Sequence, residues 1–212
     1  MYTPKHFNVE DTSEAHALMR AHPFAVLVTQ GTSGIVATHL PTVLKVEDGA
    51  ALGRIECHVA RPNPQWRDFA ADGDALMIFQ GPEAYIRPGW YPSKAEHDKV
   101  VPTWNYAVVH AYGRIDVVQD QAWLLAHVSE LTQQQEAPYP ARWLTSDAPE
   151  NYLAMMARGI VGMRIAITRL ECKMKMSQNR EGRDRGGVVR GLAERAQGHD
   201  GQVALLVEKL DR

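Results

Sequence analysis

The segment 104–118 constrains this chain more than any other. Asn105, Ala107, Val109 and Ala111 fall on one side of a two-residue alternation; Trp104, Tyr106, Val108, His110 and Tyr112 fall on the other. Period two sustained over that length is the signature of a strand. Small residues opposite aromatics suit a strand packed on both faces. A second long β segment covers 160–176.

Shorter strand signals precede them without intervening helices. Residues 24–29 and 35–40 flank the turn cluster Gln30-Gly31-Thr32-Ser33-Gly34, and Pro41 interrupts the second run. Residues 42–46 resume, with a turn expected at Glu47-Asp48-Gly49. In 54–59, Ile55, Cys57 and Val59 alternate with Arg54, Glu56 and His58. A loop with one short helix is expected over 62–71. Residues 75–80 read as a buried strand and 84–87 as a separate short one, followed by a long polar loop over 88–101.

Helical signals sit at the ends and between the two long strands. Asp11 and Glu14 have capping-box spacing ahead of a helix over 12–22, which Pro23 stops. Asp120 caps a helix to about residue 134, with Trp123, Leu124, His127, Val128 and Leu131 along one stripe. Ser146 and Asp147 are placed to cap another, with Pro149 in its first turn and Gly159 past its end. Two C-terminal helices follow, the last with Val203, Leu206, Val207 and Leu210 at helical spacing. Strands that cluster rather than alternate with helices predict an α+β fold with an antiparallel sheet or barrel, not a doubly wound parallel sheet.

The chain has 212 residues, 45% of them hydrophobic. That suits a single domain with a sizeable core. With 23 Lys+Arg against 25 Asp+Glu, the net charge of -2 provides no global attraction to nucleic acid. Cys57 and Cys172 stand far apart and in no C-x-x-C pair, so two buried thiols in a reducing compartment are expected. The N-terminal stretch lacks an apolar signal region, and no run approaches the about 18 apolar residues of a membrane span. A cytoplasmic protein without membrane contact is the expectation. No G-x-G-x-x-G, P-loop, H-E-x-x-H or G-x-S-x-G occurs. His39, His58 and His110 lie on predicted strands, and structural histidines or histidines near a bound anion explain them better than a metal site.

Four polar clusters fall where a plain β core would not place them. They are Ala37-Thr38-His39-Leu40-Pro41, His58-Val59-Ala60-Arg61-Pro62-Asn63-Pro64-Gln65-Trp66, Val101-Pro102-Thr103-Trp104-Asn105-Tyr106, and Lys173-Met174-Lys175-Met176-Ser177-Gln178-Asn179-Arg180. Each alone reads equally as half-exposed strand, turn or solvated face. Together they contain what a flavin needs. A phosphate dianion wants a guanidinium, hydroxyls and N–H groups, which Arg61, His58 and Asn63 can supply. A flat ring with a polar edge wants a wall and a few amide or hydroxyl contacts, for which Thr38, Trp104, Asn105, Gln178 and Asn179 are suitable types.

Over nearly its whole length the chain resembles the PaiB-type proteins, described as FMN-binding negative transcriptional regulators. The stretches that carry the likeness are the four clusters above with Met1-Tyr2-Thr3-Pro4-Lys5-His6-Phe7, Phe79-Gln80-Gly81-Pro82 and Trp90-Tyr91-Pro92-Ser93-Lys94. The resemblance implies an FMN-binding split barrel, an antiparallel Greek-key barrel with peripheral helices, covering 1–212 as one domain with a helical extension over about 184–212. It implies a homodimer with FMN at each end of the subunit interface. By the same analogy, His58, Ala60, Arg61 and Asn63 lie near the phosphate, and Thr38, His39 and Leu40 beside the ring. Trp104, Asn105 and Tyr106, or Lys175, Gln178 and Asn179, come from the partner subunit.

Two main functions compete. For a regulator, no helix-turn-helix is visible. The best DNA-facing stretch, with Lys173, Lys175, Arg180, Arg183, Arg185, Arg190 and Arg195, is diluted by Glu181, Asp184 and Glu194. For a flavin oxidoreductase of the pyridoxamine-phosphate oxidase or flavin reductase kind, His39, Tyr106 and Lys175 could orient a substrate, but no catalytic constellation is readable. A haem-binding protein is a lesser alternative.

Overall fold

A computed structural model of the chain describes residues 1–46, 52–70 and 73–210. The turn expected at residues 47–49 and the last residue of the loop expected over 62–71 lie outside them. The elements run β1 (Asn8–Val9), α1 (Thr12–Ala21), β2 (Phe24–Gly31), β3 (Gly34–Pro41), β4 (Val43–Lys45), β5 (Arg54–Ala60), β6 (Ala75–Ile86), α2 (Lys94–His97), β7 (Thr103–Val118), α3 (Gln121–Glu136), α4 (Glu150–Arg158), β8 (Ile160–Lys175), α5 (Gly182–Arg195) and α6 (Asp200–Lys209). The strands form one sheet in the order β3-β2-β6-β7-β8-β5-β4, with β1 also paired to β8. The pairs β2–β3, β2–β6, β4–β5, β5–β8 and β1–β8 are antiparallel. Among the described residues no helix is long and apolar enough to cross a membrane.

The chain divides into two compact units, through which the long strands β6, β7 and β8 run. One unit comprises Met1–Leu18, Gln80–Val109 and Glu171–Arg212. Its core is built from Ile86, Ala107, Met176, Val188, Leu192, Val203 and Val207. The other comprises Met19–Phe79 and His110–Leu170, with Leu27, Ile55, Cys57, Met77, Phe79, Met163 and Ile165 at its centre. Both cysteines are free and buried, and burial pushes each thiol up to about 12.

Local chemistry explains most boundaries. The β2–β3 hairpin turns on Gly34, whose φ of 96° lies where a side chain would be strained. The Asp68 carboxylate accepts from the backbone N–H groups of Thr32 and Ser33 and from the Thr32 hydroxyl. These bonds hold its carboxyl well below the usual range. Asp120 caps α3 by accepting from the Trp123 N–H, as its position in the sequence predicts.

Several details differ from the sequence expectation. The loop expected over 88–101 contains the short helix α2, and β1 has no counterpart in the sequence reading. Residues 75–86 form one strand, not two. Gly81 serves close packing rather than a turn, since a Cβ there would meet Leu18 Cδ1 at 2.8 Å and Ala107 Cβ at 3.1 Å. Pro82 lies beyond residues 76–78, the part of β6 that registers with β2. Ser146 and Asp147 do not cap α4. They form a 3-10 turn closed by Asp147, which accepts from Leu144 N–H, and Pro149 is the N-cap. Glu56, on the face of β5 opposite Ile55 and Cys57, is buried as well and paired with Arg54. On β7, Asn105, Ala107, Val109 and Ala111 are fully buried, but the aromatic face stays partly open, with Trp104 54% exposed and edge-to-face with Tyr85.

Candidate functional site

In the second unit, the end of β5 gathers three of the sequence candidates. The turn after Ala60 carries Asn63, whose Oδ1 accepts from the Gln65 N–H and so caps the 3-10 turn Pro64–Trp66. Its Nδ2 donates to Thr38 Oγ1 at 3.2 Å. Thr38 therefore acts as acceptor there, and its own hydroxyl hydrogen remains available. Arg61 donates from Nε to Arg158 O, from one terminal nitrogen to Gln119 Oε1 and from the other to Ile160 O, at 2.7–2.9 Å. A guanidinium has five N–H groups, so two remain. Thr38 and Asn63 meet side chain to side chain, and Arg61, two residues before Asn63 on the same turn, keeps two uncommitted N–H groups, so the β5 end carries donors that these bonds leave unused. Such donors fit an anion with several acceptor oxygens, such as a phosphate.

The other candidates of this unit are arranged differently. His39 alternates with Thr38 and lies on the opposite face of β3, where its ring stacks on Phe24 at 6.3 Å. Leu40 is buried in the core, and Ala60 is exposed at the strand end. His58 turns toward α3, where its Nδ1 lies 3.1 Å from His127 Nε2. Trp123 stacks on His127 with ring centroids 5.1 Å apart. It lies flat on Gly162, the β8 residue registered with His58, where a Cβ would meet the indole at 2.1 Å. Burial pushes both imidazoles down, His127 to about 4, so the pair is neutral at pH 7.

The first unit holds the remaining candidates. Lys175 Nζ donates to Thr103 Oγ1 and to the Trp104 carbonyl. Burial, with Lys173 and Arg180 nearby, lowers its pKa. Those two cations lie over aromatic faces, Lys173 over Tyr2 and Tyr106 and Arg180 over Tyr91. Asn105 and Ser177 exchange hydrogen bonds of 3.0 and 3.2 Å in the core. Gln178 bonds its own strand end, accepting from Met176 N–H and donating to Met174 O. Asn179 is exposed. The polar cluster expected from the sequence is therefore partly structural: Asn105 and Gln178 hold the backbone, while Lys175, Trp104 and Asn179 face outward to differing degrees.

Two residues of interest were not among the sequence candidates. Gln65 is 1% exposed and donates to Leu27 O, Thr29 Oγ1 and Val36 O, anchoring the Asn63 turn on the β2–β3 hairpin, while its Oε1 has no partner. A Gln following Asn63-Pro64 carries no sequence signal for this. His127 was visible only as a histidine on an apolar helical stripe.

Comparison with known proteins places the chain. Residues 1–169 match a family model described as "Putative FMN-binding domain". Protease synthase and sporulation protein PAI 2 of Bacillus subtilis is 33% identical over 208 residues, covering 98% of this chain and 97% of that protein. A conserved hypothetical protein of Mycobacterium tuberculosis superposes with a TM-score of 0.57 at 13% identity, over 84% of this chain and 92% of the other. The FAD and haem binding protein of Mycobacterium smegmatis superposes with a TM-score of 0.53 at 14% identity, over 79% and 73%.

Proposed function

The chain belongs to this family of FMN-binding domains, and on that premise we propose that Thr38, Arg61 and Asn63 hold the FMN phosphate in a homodimeric, cytoplasmic regulator of the PaiB type. Its fold is the antiparallel α+β architecture of the flavin-binding split barrels, and FMN is its cofactor. The donor set at the β5 end is the observation that carries the assignment of the phosphate site. Arg61 is held rigid by three protein acceptors, so its remaining N–H groups are presented at little entropic cost. When bound, the flavin supplies redox chemistry. The chain's own residues bind and orient it.

Dimerisation is supported by the outer face of β2 and β3. Phe24 is 65% and Ile35 75% exposed, and the half-buried Val26 and Val28 lie on the same face. An apolar sheet face of this kind marks an interaction surface, and a second copy of the chain is the occupant we assign it. In that assembly Trp104, Tyr106 and the segment from Lys175 to Asn179 are contributed to a site by the second copy. The two free, buried thiols accord with a reducing compartment.

Direct DNA contact through α5 draws little support. Arg183 pairs with Glu96 and Glu181, and Arg195 with Asp200, so these cations are already neutralised. Regulation acts through the flavin or a protein partner. The test is titration of the purified protein with FMN, followed by flavin fluorescence, with riboflavin as control. Binding near one FMN per subunit with riboflavin clearly weaker, and an FMN affinity about tenfold or more lower in Arg61→Ala, is expected. Equal affinity for FMN and riboflavin would remove the phosphate site.

A further inference from the structure

Under α3 and α4 of the second unit lies a cleft of about 630 Å³. Leu125 and Val128 of α3, Leu153, Ala154 and Ala157 of α4, and Ile160 at the start of β8 line it. Sites for small organic ligands have this volume and this apolar character, with a few convergent polar groups. Protein interiors are packed to crystal density. An apolar recess of this size leaves wall in contact with water that a ligand would cover with gain.

The polar groups at the cleft are few. Thr145 already donates to Ser129 Oγ, and Glu150 is exposed. The third is His58. Its Nδ1 is engaged by His127, and its Nε2 has no partner among the described residues. The buried His127 decides which proton His58 shows to the cleft. His127 is 2% exposed and its Nδ1 has no hydrogen-bond partner. A buried N–H without an acceptor is costlier and rarer than a buried lone pair without a donor. His127 therefore carries its proton on Nε2 and donates it to His58 Nδ1. His58 must then carry its own proton on Nε2, as a donor. Trp123, flat against His127, and Gly162 hold this arrangement in place.

We propose that the cleft between α3 and α4 binds a small, uncharged molecule with one carbonyl-type acceptor, which takes the hydrogen bond of His58 Nε2. A carboxylate would be disfavoured, because no cation lines the cleft to offset its desolvation. A hydrocarbon would fill the cleft without using its one donor. α4 is suited to adapt around such a guest. Ala157 is its one buried residue, and the flexible side chain of Met156, which lines the cleft, can repack. This site is independent of the phosphate-binding assignment, which uses Thr38, Arg61 and Asn63.

The probe is prodan, a neutral dialkylaminonaphthyl ketone whose emission shifts to the blue in apolar surroundings. Dimethylaminonaphthalene, the same ring system without the carbonyl, is the control. Saturable, one-to-one binding of prodan with a blue shift is expected in wild type. Ala154→Trp, which fills the cleft, should abolish it while leaving FMN titration unchanged. His58→Phe should weaken prodan roughly tenfold, the scale of one hydrogen bond, and leave dimethylaminonaphthalene unaffected. His58→Gln, which keeps an N–H donor, should recover most of the loss, and this arm decides should His58→Phe lose its circular dichroism signature. Absence of saturable prodan binding, or binding that Ala154→Trp does not change, overturns the proposal. So does stoichiometric displacement of prodan by FMN, which would make the cleft part of the flavin site. Prodan binding without FMN binding would sink the cofactor assignment and leave this one standing.

Discussion

The end of β5 in one unit and the end of β8 in the other carry similar polar residues under opposite electrostatic rules. Around β5, charge is either tied down or absent. Arg61 is bonded to two backbone carbonyls and a side-chain amide, and the His58–His127 pair is neutral. Around β8, three cations crowd together. Lys175, Lys173 and Arg180 share their surroundings with aromatic rings and carbonyls, and burial, with the two neighbouring cations, depresses the pKa of the first. Burial explains the neutrality around β5. Where the helix α3 covers β5, an unpaired charge would cost more than any local contact returns, so neutral groups are kept. At the β8 end Lys173 is buried too, and its charge is met by the Tyr2 carbonyl and the ring faces of Tyr2 and Tyr106, while Lys175 and Arg180 are half-buried.

The largest effect expected from this contrast is on acid stability. His127 titrates at about 4 in the folded chain, against about 6.5 unfolded. Between these values the unfolded state binds more protons, so stability falls as pH falls. The contribution is present in full above pH about 6.5 and is lost as pH drops through about 4, amounting to roughly 3 kcal/mol. Urea denaturation across that window should show the loss in wild type and a flatter profile in His127→Gln. An equally steep profile in the variant would break the account of a neutral pair.

Arg61→Ala comes next. It removes three hydrogen bonds that join the β5 end to Gln119, Arg158 and Ile160, with an expected cost of about 2–3 kcal/mol. Arg61→Lys should recover little of it, since an ammonium cannot reproduce the planar fork. Denaturation midpoints of the two variants measure both. In the other unit, Asn105→Ala leaves Ser177 unpaired in the core, at about 1–2 kcal/mol. Asn105→Asp should be worse, because it buries a charge. The smallest effect is expected at Arg183, whose pairs with Glu96 and Glu181 lie on the surface. Arg183→Ala should leave the denaturation midpoint unchanged, and salt-dependent retention on DNA that vanished in this variant would reopen the reading of α5 as a DNA-facing helix.

Much of the fold is legible along the chain because its signals are local. The alternation of 104–118, the Asp120 cap, the Gly34 turn and the stop at Pro23 depend on side chains within a few residues, and the structure shows them where the sequence places them. Proline, glycine and capping residues mislead where tertiary contacts compete. Gly81-Pro82 looks like a break and is part of a strand, because the close approach of Leu18 and Ala107 requires the glycine. Asp147 looks like a cap for α4 and closes the preceding turn instead.

By itself, then, the sequence determined the order of the longer strands and helices, the antiparallel α+β class, the family and with it the flavin, since these follow from patterns and motifs that need no partner. Only the tertiary structure decided which polar residues are free to bind. Thr38 and Asn63 meet across 25 positions and Arg61 reaches Arg158 across 97, while His58 is drawn from the expected phosphate cluster to His127, 69 residues on. A side chain's availability depends on what neighbours have already claimed its donors and how much water they exclude, and neither is written in the residues beside it.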